Sequence, residues 1–248
     1  MLREVGAAER TRVWTIDLGN PVWDGMAYTL TKQEFHRVES YKSLEARRRF
    51  QRRRIALRAI LAHCQDLLPE KVALEFDQFG KPRVSSAQLF FNASHSRDVA
   101  IVATCSIEVG IDIEFVCADF ALCGDLLDSV CNPTELKVLA SIDRDQRRAV
   151  FFDLWASKEA YAKAMGVGLR LPFAEIGFLP VPDRRDVREV IDVGRMIRGA
   201  YFVHEVAAPQ GYSAKLCLPS FAADIELVQA ERLLPRTSHR ASGHPDAG

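Results

Sequence analysis

Two short segments of this sequence carry residues that could perform metal-dependent phosphoryl chemistry. Residues 110–114 read Gly-Ile-Asp-Ile-Glu, and residues 155–163 read Trp-Ala-Ser-Lys-Glu-Ala-Tyr-Ala-Lys. Together they contain three carboxylates and two lysines. Carboxylate oxygens are ligands that Mg²⁺ prefers, and Mg²⁺ usually completes its shell with water and substrate phosphate oxygens. The pair of segments therefore indicates a Mg²⁺-dependent reaction at a phosphate group.

Each segment also has an ordinary structural explanation. In a β-strand, Asp112 and Glu114 share one face about 7 Å apart at Cα, where like charges raise each other's pKa unless a cation lies between them. The polar face of an edge strand explains the same pattern and, for this segment alone, is the more frequent case. Trp155, Glu159 and Lys163 follow one another at intervals of one helical turn, which fits a surface Glu–Lys pair as well as a partly buried functional face.

Polar and basic residues suited to binding an anion lie upstream of both segments. They are the turn residues Lys81, Pro82 and Arg83 and the loop residues Asn92, Ser94, His95 and Ser96. Such a group of hydrogen-bond donors at the start of a strand fits a phosphate. A plain β-turn and a structural histidine are the alternatives, and each is commoner when taken alone. A Ser-His hydrolase is not favoured because the sequence has no G-x-S-x-G motif.

Seven arginines lie between residues 47 and 58, on a predicted helix over 43–67 whose opposite face carries an apolar stripe. A solvated helix face is the usual explanation for such a cluster. Arg54 and Arg58 lie one turn apart, however, so their guanidinium groups could bind a phosphate in a bidentate manner. Nucleic acid is a weaker candidate partner, because the formal net charge of the chain is +0.

The bulk composition is that of an ordinary globular protein, with 248 residues, 48% hydrophobic and 27% charged. No apolar run approaches the length of a membrane span, and the first residues lack the apolar core of a signal peptide. The six cysteines show no C-x-x-C spacing and no matching histidine pair, so a zinc site is not predicted. We therefore expect a cytoplasmic protein with reduced thiols that binds neither nucleic acid nor membrane.

The residue patterns predict an α+β fold of two pseudo-symmetric lobes, each a small antiparallel sheet packed with a long helix. Strands are predicted at 13–18, 99–105, 107–114, 176–179, 201–206 and 212–218. Asn132, Pro133 and Glu135 mark the start of one helix, and a further helix is expected from Phe151 to about Met165. The predicted division is a disordered N-terminus at 1–11, lobes at 12–107 and 108–220, and an extension at 221–248 that is mostly disordered from about 235.

In this order and spacing, the motifs resemble those of the 4′-phosphopantetheinyl transferases, in particular the monomeric, two-lobed type that activates surfactin synthetase. The residues that carry the resemblance are Gly110–Glu114, Trp155–Lys163 and Gly166-Val-Gly-Leu169. The Gly-Lys-Pro turn at 80–82 and the Phe-Asn-Ala-Ser-His-Ser segment at 91–96 match the upstream motifs of that family. The resemblance spans roughly residues 45–218.

The resemblance implies that the chain transfers the 4′-phosphopantetheine of coenzyme A to a serine of an apo acyl or peptidyl carrier protein. Asp112, Glu114 and Glu159 would hold Mg²⁺, Glu159 would be the catalytic base, and Lys163 would neutralise charge on the diphosphate. The 3′-phosphate of coenzyme A would be bound by His95, also expected to take part in catalysis, by Lys81, and by Arg54 or Arg58. Further contacts with coenzyme A are expected from Pro82, Arg83, Asn92, Ser94 and Lys158.

The sequence is compatible with more than one answer on three points. The family often has lysines where this helix has arginines, so the arginine that meets the 3′-phosphate is undecided. The segment 115–131 is expected to dock the carrier protein by resemblance, although packing in a core explains Phe120, Leu122, Leu126 and Leu127 equally well. A metal-dependent phosphohydrolase and a non-catalytic coenzyme A-binding module are the alternative functions.

Overall fold

A computed structural model of the chain describes residues 9–78, 80–85, 88–167, 170–192 and 200–234. The α-helices are α1 (Lys32–Ser40), α2 (Leu44–Gln65), α3 (Gly124–Val130), α4 (Pro133–Ser141) and α5 (Arg144–Met165). The strands are β1 (Glu9–Asp17), β2 (Leu74–Phe76), β3 (Pro82–Val84), β4 (Phe90–Ser96), β5 (Val99–Cys105), β6 (Gly110–Phe115), β7 (Ile176–Val181), β8 (Arg184–Asp192), β9 (Phe202–Val206), β10 (Tyr212–Leu218) and β11 (Ala223–Gln229). Short 3₁₀ segments lie at Pro21–Thr29, Pro69–Lys71, Phe173–Glu175 and Ala230–Leu233.

The strands form two main sheets and a small hairpin. The first sheet has the order β11-β1-β5-β4, the second has the order β6-β10-β9-β8-β7, and β2 pairs with β3 alone. All described strand pairs are antiparallel except β1 with β11, which is parallel. The predicted α+β class with antiparallel sheets is confirmed.

The strand β1 begins earlier than the sequence predicted. Residues 9–11 were assigned to a disordered N-terminus, but they pair with β11 from Glu9 opposite Ala223 onwards. The pattern was misleading because the outer face of this strand is charged: Arg10 and Arg12 both contact Glu226 of β11. The predicted disorder of residues 1–8 and of the tail from 235 lies outside the described residues, as do Gly168 and Leu169 of the family motifs.

Helix α2 covers the first sheet with the apolar stripe that the sequence predicted. Its start is capped by Ser43, whose side chain accepts a hydrogen bond from Ala46 N. Ile55, Ile60 and Leu61 are completely buried in the core between α2 and the first sheet. Among the described helices, none combines the length and the apolar character needed to cross a lipid bilayer.

Helix α5 lies directly against β6 of the second sheet. It ends at Gly166, which adopts a left-handed conformation with φ of 70°. The helix backbone comes very near β6 at Gly110, where a Cβ atom would lie 2.0 Å from the Ala160 carbonyl oxygen and 2.3 Å from the Ala164 nitrogen. Only glycine leaves room for the helix backbone at this position, so the glycine that opens the Gly-Ile-Asp-Ile-Glu motif sets the position of α5 on the sheet.

The two sheets meet edge to edge at β4 and β6. Three alternate residues of β4 bridge the gap with their side chains, because side chains on one strand face recur every second residue. Asn92 Oδ1 accepts a hydrogen bond from Ile111 N at 3.0 Å, and Ser96 Oγ accepts one from Phe115 N at 3.0 Å. Between them, Ser94 Oγ donates to Asp112 at 2.7 Å. This junction brings the polar segment of β4 and the acidic motif of β6 together.

Candidate functional site

Asp112 is the most deeply buried acidic group of the site. It is only 2% exposed, and its Oδ1 accepts hydrogen bonds from Ser94 Oγ at 2.7 Å and from Lys163 Nζ at 2.5 Å. Its second oxygen, Oδ2, is buried without a hydrogen-bond partner in the described part of the chain. A buried polar atom of this kind is costly unless an additional ligand satisfies it.

Two further carboxylates lie close to Asp112, and both resist ionisation. Burial and the charge of Asp112 raise the pKa of Glu114 to about 7, against the opposing effect of a hydrogen bond from Ser96. Burial also raises the pKa of Glu159 on α5, helped by Asp112 and opposed by Lys163. The site therefore holds more acidic groups than its own cation neutralises.

The donor set fits a divalent cation of the Mg²⁺ type. Within the described ranges, no three His, Cys, Asp or Glu side chains converge in an arrangement that would hold a metal ion by themselves. Mg²⁺ does not need such a cage, since it is commonly bound by one or two carboxylates together with water and substrate phosphates. The unpaired Asp112 Oδ2 and the raised pKa values of Glu114 and Glu159 are the features that a cation would relieve.

His95 lies at the end of β4 in a strongly cationic environment. The Nη1 of Arg53 contacts both ring nitrogens of His95, at 2.7 Å from Nδ1. Although part of the ring is exposed, the surrounding protein atoms and then the charges of Arg53, Lys163 and Arg49 lower the pKa of His95 to about 4. His95 is therefore neutral at pH 7, and the cations around it favour binding of an anion.

The structure gives the arginines of α2 different partners, and the contact of Arg54 or Arg58 with the 3′-phosphate stays a prediction. The residue that touches His95 is Arg53, whereas Arg54 and Arg58 both bind the carboxylate of Glu34 on α1, at 2.6 Å and 2.7 Å. Arg58 is 2% exposed and also donates to the carbonyl oxygen of Val72. Helical periodicity places Arg53, Arg54 and Arg58 on the basic side of α2. It does not show which of these three side chains faces β4. Arg53 was missed although it belongs to the same cluster.

Arg54 and Arg58 nevertheless line a cavity of about 700 Å³ between α1, α2 and β2. The two guanidinium groups share the single carboxylate of Glu34, so this wall of the cavity carries a net positive charge. Phe50 of α2 also lines the cavity, and the Arg53 guanidinium lies over its ring, 5.4 Å from the centroid. Phe50 and Arg53 therefore connect the cavity with His95.

Lys81 and Arg83 line a small pocket of about 350 Å³ beside β3, and both also contact protein groups. The Lys81 ammonium donates to the carbonyl oxygen of Lys163 at 2.8 Å, at the C-terminal end of α5, and pairs with Glu108 at 3.2 Å. Arg83 pairs with the same carboxylate at 2.9 Å, and Pro82 begins β3 beside it. A cation at a helix C-terminus is stabilising, so Lys81 fixes the end of the helix that bears Lys163. No sequence pattern indicated Glu108 as the partner of these two cations.

Asn92 and Lys158, both predicted to contact coenzyme A, are used inside the fold. The Asn92 side chain binds Ile111 N at the sheet junction. Lys158 is 0% exposed, and its ammonium donates to Glu135 at 2.5 Å and to the carbonyl oxygens of Val130 and Phe173. The predicted contact of Lys158 with coenzyme A is therefore wrong. Its side chain points into the hydrophobic core and not towards the face of α5 that carries Glu159.

The segment 115–131 packs on the core of the second lobe. Its apolar residues Phe120, Leu122, Leu126 and Leu127 are partly buried against that core, and the Phe120 ring lies 5.2 Å from the ring of Phe152. Core packing thus accounts for these residues, and docking of a carrier protein on the segment stays a prediction.

Comparison with known proteins places these motifs in one family. Residues 108–217, which include both acidic segments, match the model of the 4′-phosphopantetheinyl transferase superfamily. The chain is 33% identical over 181 residues to the 4′-phosphopantetheinyl transferase HetI of a Nostoc species, a match that covers 70% of this chain and 76% of HetI. It is 26% identical over 220 residues to the 4′-phosphopantetheinyl transferase Sfp of Bacillus subtilis, covering 83% of this chain and 95% of Sfp. A second 4′-phosphopantetheinyl transferase of Bacillus subtilis is 28% identical over 181 residues, a match that covers 72% of this chain and 78% of that protein.

Proposed function

This chain belongs to the 4′-phosphopantetheinyl transferase superfamily, and from this premise we propose how its own residues carry out the transfer. The reaction moves the 4′-phosphopantetheine group of coenzyme A to a serine of an apo acyl or peptidyl carrier protein. The products are the holo carrier protein and 3′,5′-ADP. The phosphohydrolase and the non-catalytic binding module are not supported, because the relatives are named as transferases.

The assignment of the site rests on one observation, the packing of α5 against β6. Asp112 and Glu114 on the strand lie beside Glu159 and Lys163 on the helix, and Asp112 Oδ2 is buried without a partner among the described residues. In this proposal Asp112, Glu114 and Glu159 hold Mg²⁺. When bound, the ion would stabilise negative charge on the diphosphate of coenzyme A, an effect of several kcal/mol.

Glu159 is the proposed general base. Its carboxylate lies on α5 beside the acids of β6, and general base catalysis contributes about 10²–10⁴-fold. Glu159 takes the proton from the hydroxyl of the carrier serine, whose oxygen then bonds to the β-phosphorus of coenzyme A. The bond from this phosphorus to the bridging oxygen breaks, and 3′,5′-ADP leaves with that oxygen.

Lys163 is proposed to stabilise the diphosphate during this step. An ammonium group has three N–H donors, and the described contacts of Lys163 with Ser94 and Asp112 use two of them. Its side chain is 26% exposed, so a donor can be directed outwards to the substrate. Ser94 contributes by holding both Lys163 and Asp112 in place.

The nucleotide end of coenzyme A is proposed to lie against His95. The cations around His95, above all Arg53, attract the 3′-phosphate, and the neutral ring can donate one hydrogen bond to it. The cavity lined by Phe50 and Arg54 extends from this point and offers an aromatic surface with net positive charge. In this proposal Arg53 is the primary phosphate contact, and Arg54 contributes from the cavity wall.

We place this reaction in the cytoplasm and in a monomer. All six cysteines, each within the described ranges, are free thiols, which fits a reducing compartment. Every residue assigned a role above comes from one chain, so the proposed site needs no second copy.

A mass measurement tests the proposed function directly. The protein is incubated with Mg²⁺, coenzyme A and a panel of apo carrier proteins, and each carrier is weighed intact. We expect a gain of one phosphopantetheine, which is lost when a chelator replaces Mg²⁺ or when the carrier serine is changed to alanine. Absence of any gain across the panel would refute the transferase assignment. Release of inorganic phosphate without a carrier would instead indicate a hydrolase.

A further inference from the structure

The proposed reaction requires α5 to sit accurately on the second sheet. The acids Asp112 and Glu114 belong to β6, whereas Glu159 and Lys163 belong to α5. The distance between the two sets is therefore set by the position of the helix on the strand and not by either element alone. An error of about 1 Å in the position of a catalytic group can lower a rate by roughly 10².

One pair of opposed residues contacts α5 on both sides of Glu159. Asp112 of β6 lies directly opposite Lys215 of β10 in the antiparallel register. Asp112 binds Lys163 of the helix, and the Lys215 ammonium contacts the carboxylate of Asp153 of the helix. Asp153 and Lys163 lie ten positions apart on the helix, about 15 Å along the axis. The two ion pairs thus restrain the helix both along and around its axis.

The contact between Lys215 and Asp153 is shielded from water on the side of the lysine and supported by neighbours. Lys215 is 2% exposed. Arg188 of β8 donates to Asp153 Oδ2 at 2.9 Å and to Ser157 Oγ at 2.9 Å. On the outer side, Glu205 of β9 lies 3.5 Å from the Lys215 ammonium and is 67% exposed on its side chain. The charges of the two cations, Lys215 and Arg188, balance those of the two carboxylates, Asp153 and Glu205. This cluster therefore needs no further ligand to neutralise it.

We propose that Lys215 is a positioning residue for the transfer reaction: through Asp153 it holds α5 so that Glu159 stays beside Asp112 and Glu114. This inference depends on the proposed function, and it adds a residue on β10 that touches no substrate. Its contribution is to the rate of the chemical step. Binding of the nucleotide end of coenzyme A, which takes place at His95 and Arg53, does not depend on it.

The test compares Lys215→Met, Asp153→Asn and the double variant, with Glu205→Gln as the matched control. Methionine keeps the length of the buried side chain without its charge, and asparagine can still accept a hydrogen bond from Arg188. Steady-state kinetics give kcat and KM for coenzyme A, calorimetric titration gives the affinity for coenzyme A, and circular dichroism gives Tm. All rates are measured well below the lowest Tm of the set.

We expect each single variant to lower kcat roughly 10- to 100-fold while KM and the affinity for coenzyme A stay within about twofold. The double variant should lose no more than either single variant, because both remove the same contact. Glu205→Gln should retain the wild-type kcat. If Lys215→Met does not fold, Asp153→Asn carries the same comparison by itself.

Wild-type kcat in the folded single variants would overturn the proposal, as would losses that multiply in the double variant. A loss that appears only in Tm would assign Lys215 to stability alone and would also overturn it. These outcomes differ from failure of the proposed function, in which the wild-type protein itself would leave every carrier unmodified.

Discussion

The substitution Gly110→Ala tests the contact that brings α5 onto β6. An alanine Cβ at this position would lie 2.0 Å from the Ala160 carbonyl oxygen, 2.3 Å from the Ala164 nitrogen and 2.9 Å from the Ala164 Cα. These are backbone atoms of a helix, so they cannot rotate away as a side chain would. Ordinary van der Waals contact of a Cβ atom begins at 3.4 Å. To reach this distance, the helix must move away from the strand by about 1 Å or more.

The size of the effect follows from what α5 carries. Glu159 and Lys163 immediately precede Ala160 and Ala164 in the sequence, so the displaced segment includes both catalytic candidates. A displacement of about 1 Å can lower kcat roughly 10²-fold, and it would lengthen the 2.5 Å contact between Lys163 and Asp112. Forcing a methyl group into a packed site costs about 1–3 kcal/mol of unfolding free energy, which corresponds to a decrease in Tm of roughly 2–12 °C in a chain of this size.

The assay measures transfer to an apo carrier protein at a temperature where the variant is folded, with Tm followed by circular dichroism. Gly25→Ala is the matched control, because a Cβ at Gly25 would meet no atom within 4 Å, and it should keep both kcat and Tm. Retention of wild-type kcat and Tm by Gly110→Ala would refute the close packing of α5 on β6, and with it the reasoning about the site.

Four further predictions concern single residues. Glu159→Gln should lower kcat by about 10²–10⁴-fold, the contribution of a general base, as measured by the mass of the carrier. Arg53→Ala should raise KM for coenzyme A roughly 10- to 100-fold, since a hydrogen bond to a charged group contributes about 1.5–3 kcal/mol, but should leave KM for 3′-dephospho-coenzyme A unchanged. Lys158→Met leaves Glu135 buried without its cation and should reduce the unfolding free energy by about 3–5 kcal/mol, measured by urea unfolding, with no change in KM for coenzyme A. The pKa of His95 is lowered from 6.5 to about 4 in the folded state. As the pH decreases from 6.5 towards 4, the unfolded chain therefore takes up a proton on this histidine before the folded chain does, and the unfolding free energy falls. His95→Gln should make the decrease in Tm over this pH interval shallower.

Each of these predictions has its own contrary result. A Glu159→Gln protein with an unchanged kcat would show that another group accepts the serine proton. An equal rise in KM for both forms of coenzyme A would remove Arg53 from the 3′-phosphate site, and a rise in KM for Lys158→Met would return that lysine to the site. Identical Tm profiles of wild type and His95→Gln between pH 6.5 and 4 would contradict the cationic environment assigned to His95.

The elements that bear the acidic motifs could be predicted because their signals are local. Alternation over 110–114 specified a strand with Asp112 and Glu114 on one face, and helical spacing placed Glu159 and Lys163 on one stripe. The alternating pattern did not predict that the polar face of this strand is buried. A polar face usually lies in water, yet here it lies where two sheet edges meet, and Asp112 is only 2% exposed.

The errors concern residues whose partners are distant in the sequence. The contacts of Arg54 and Arg58 with Glu34, and of Lys158 with Glu135, depend on how helices pack together, which a helical stripe does not specify. The same reason applies to Lys81, whose partners are the last carbonyl groups of α5 and Glu108. Roles for basic residues were thus carried over from motif position, whereas tertiary packing decides which of them face the substrate.

The pairing of β1 with β11 has a consequence for how the chain folds during synthesis. Glu9 lies opposite Ala223 and Thr15 lies opposite Gln229, so the first sheet contains strands made at nearly opposite times of translation. While the ribosome is still adding residues before 223, β1 has an unpaired outer edge, and such an edge readily pairs with other chains. Contacts of this sequence separation also slow folding. The first sheet is therefore completed late, and a chain that stops short of residue 223 would expose a strand edge that favours aggregation.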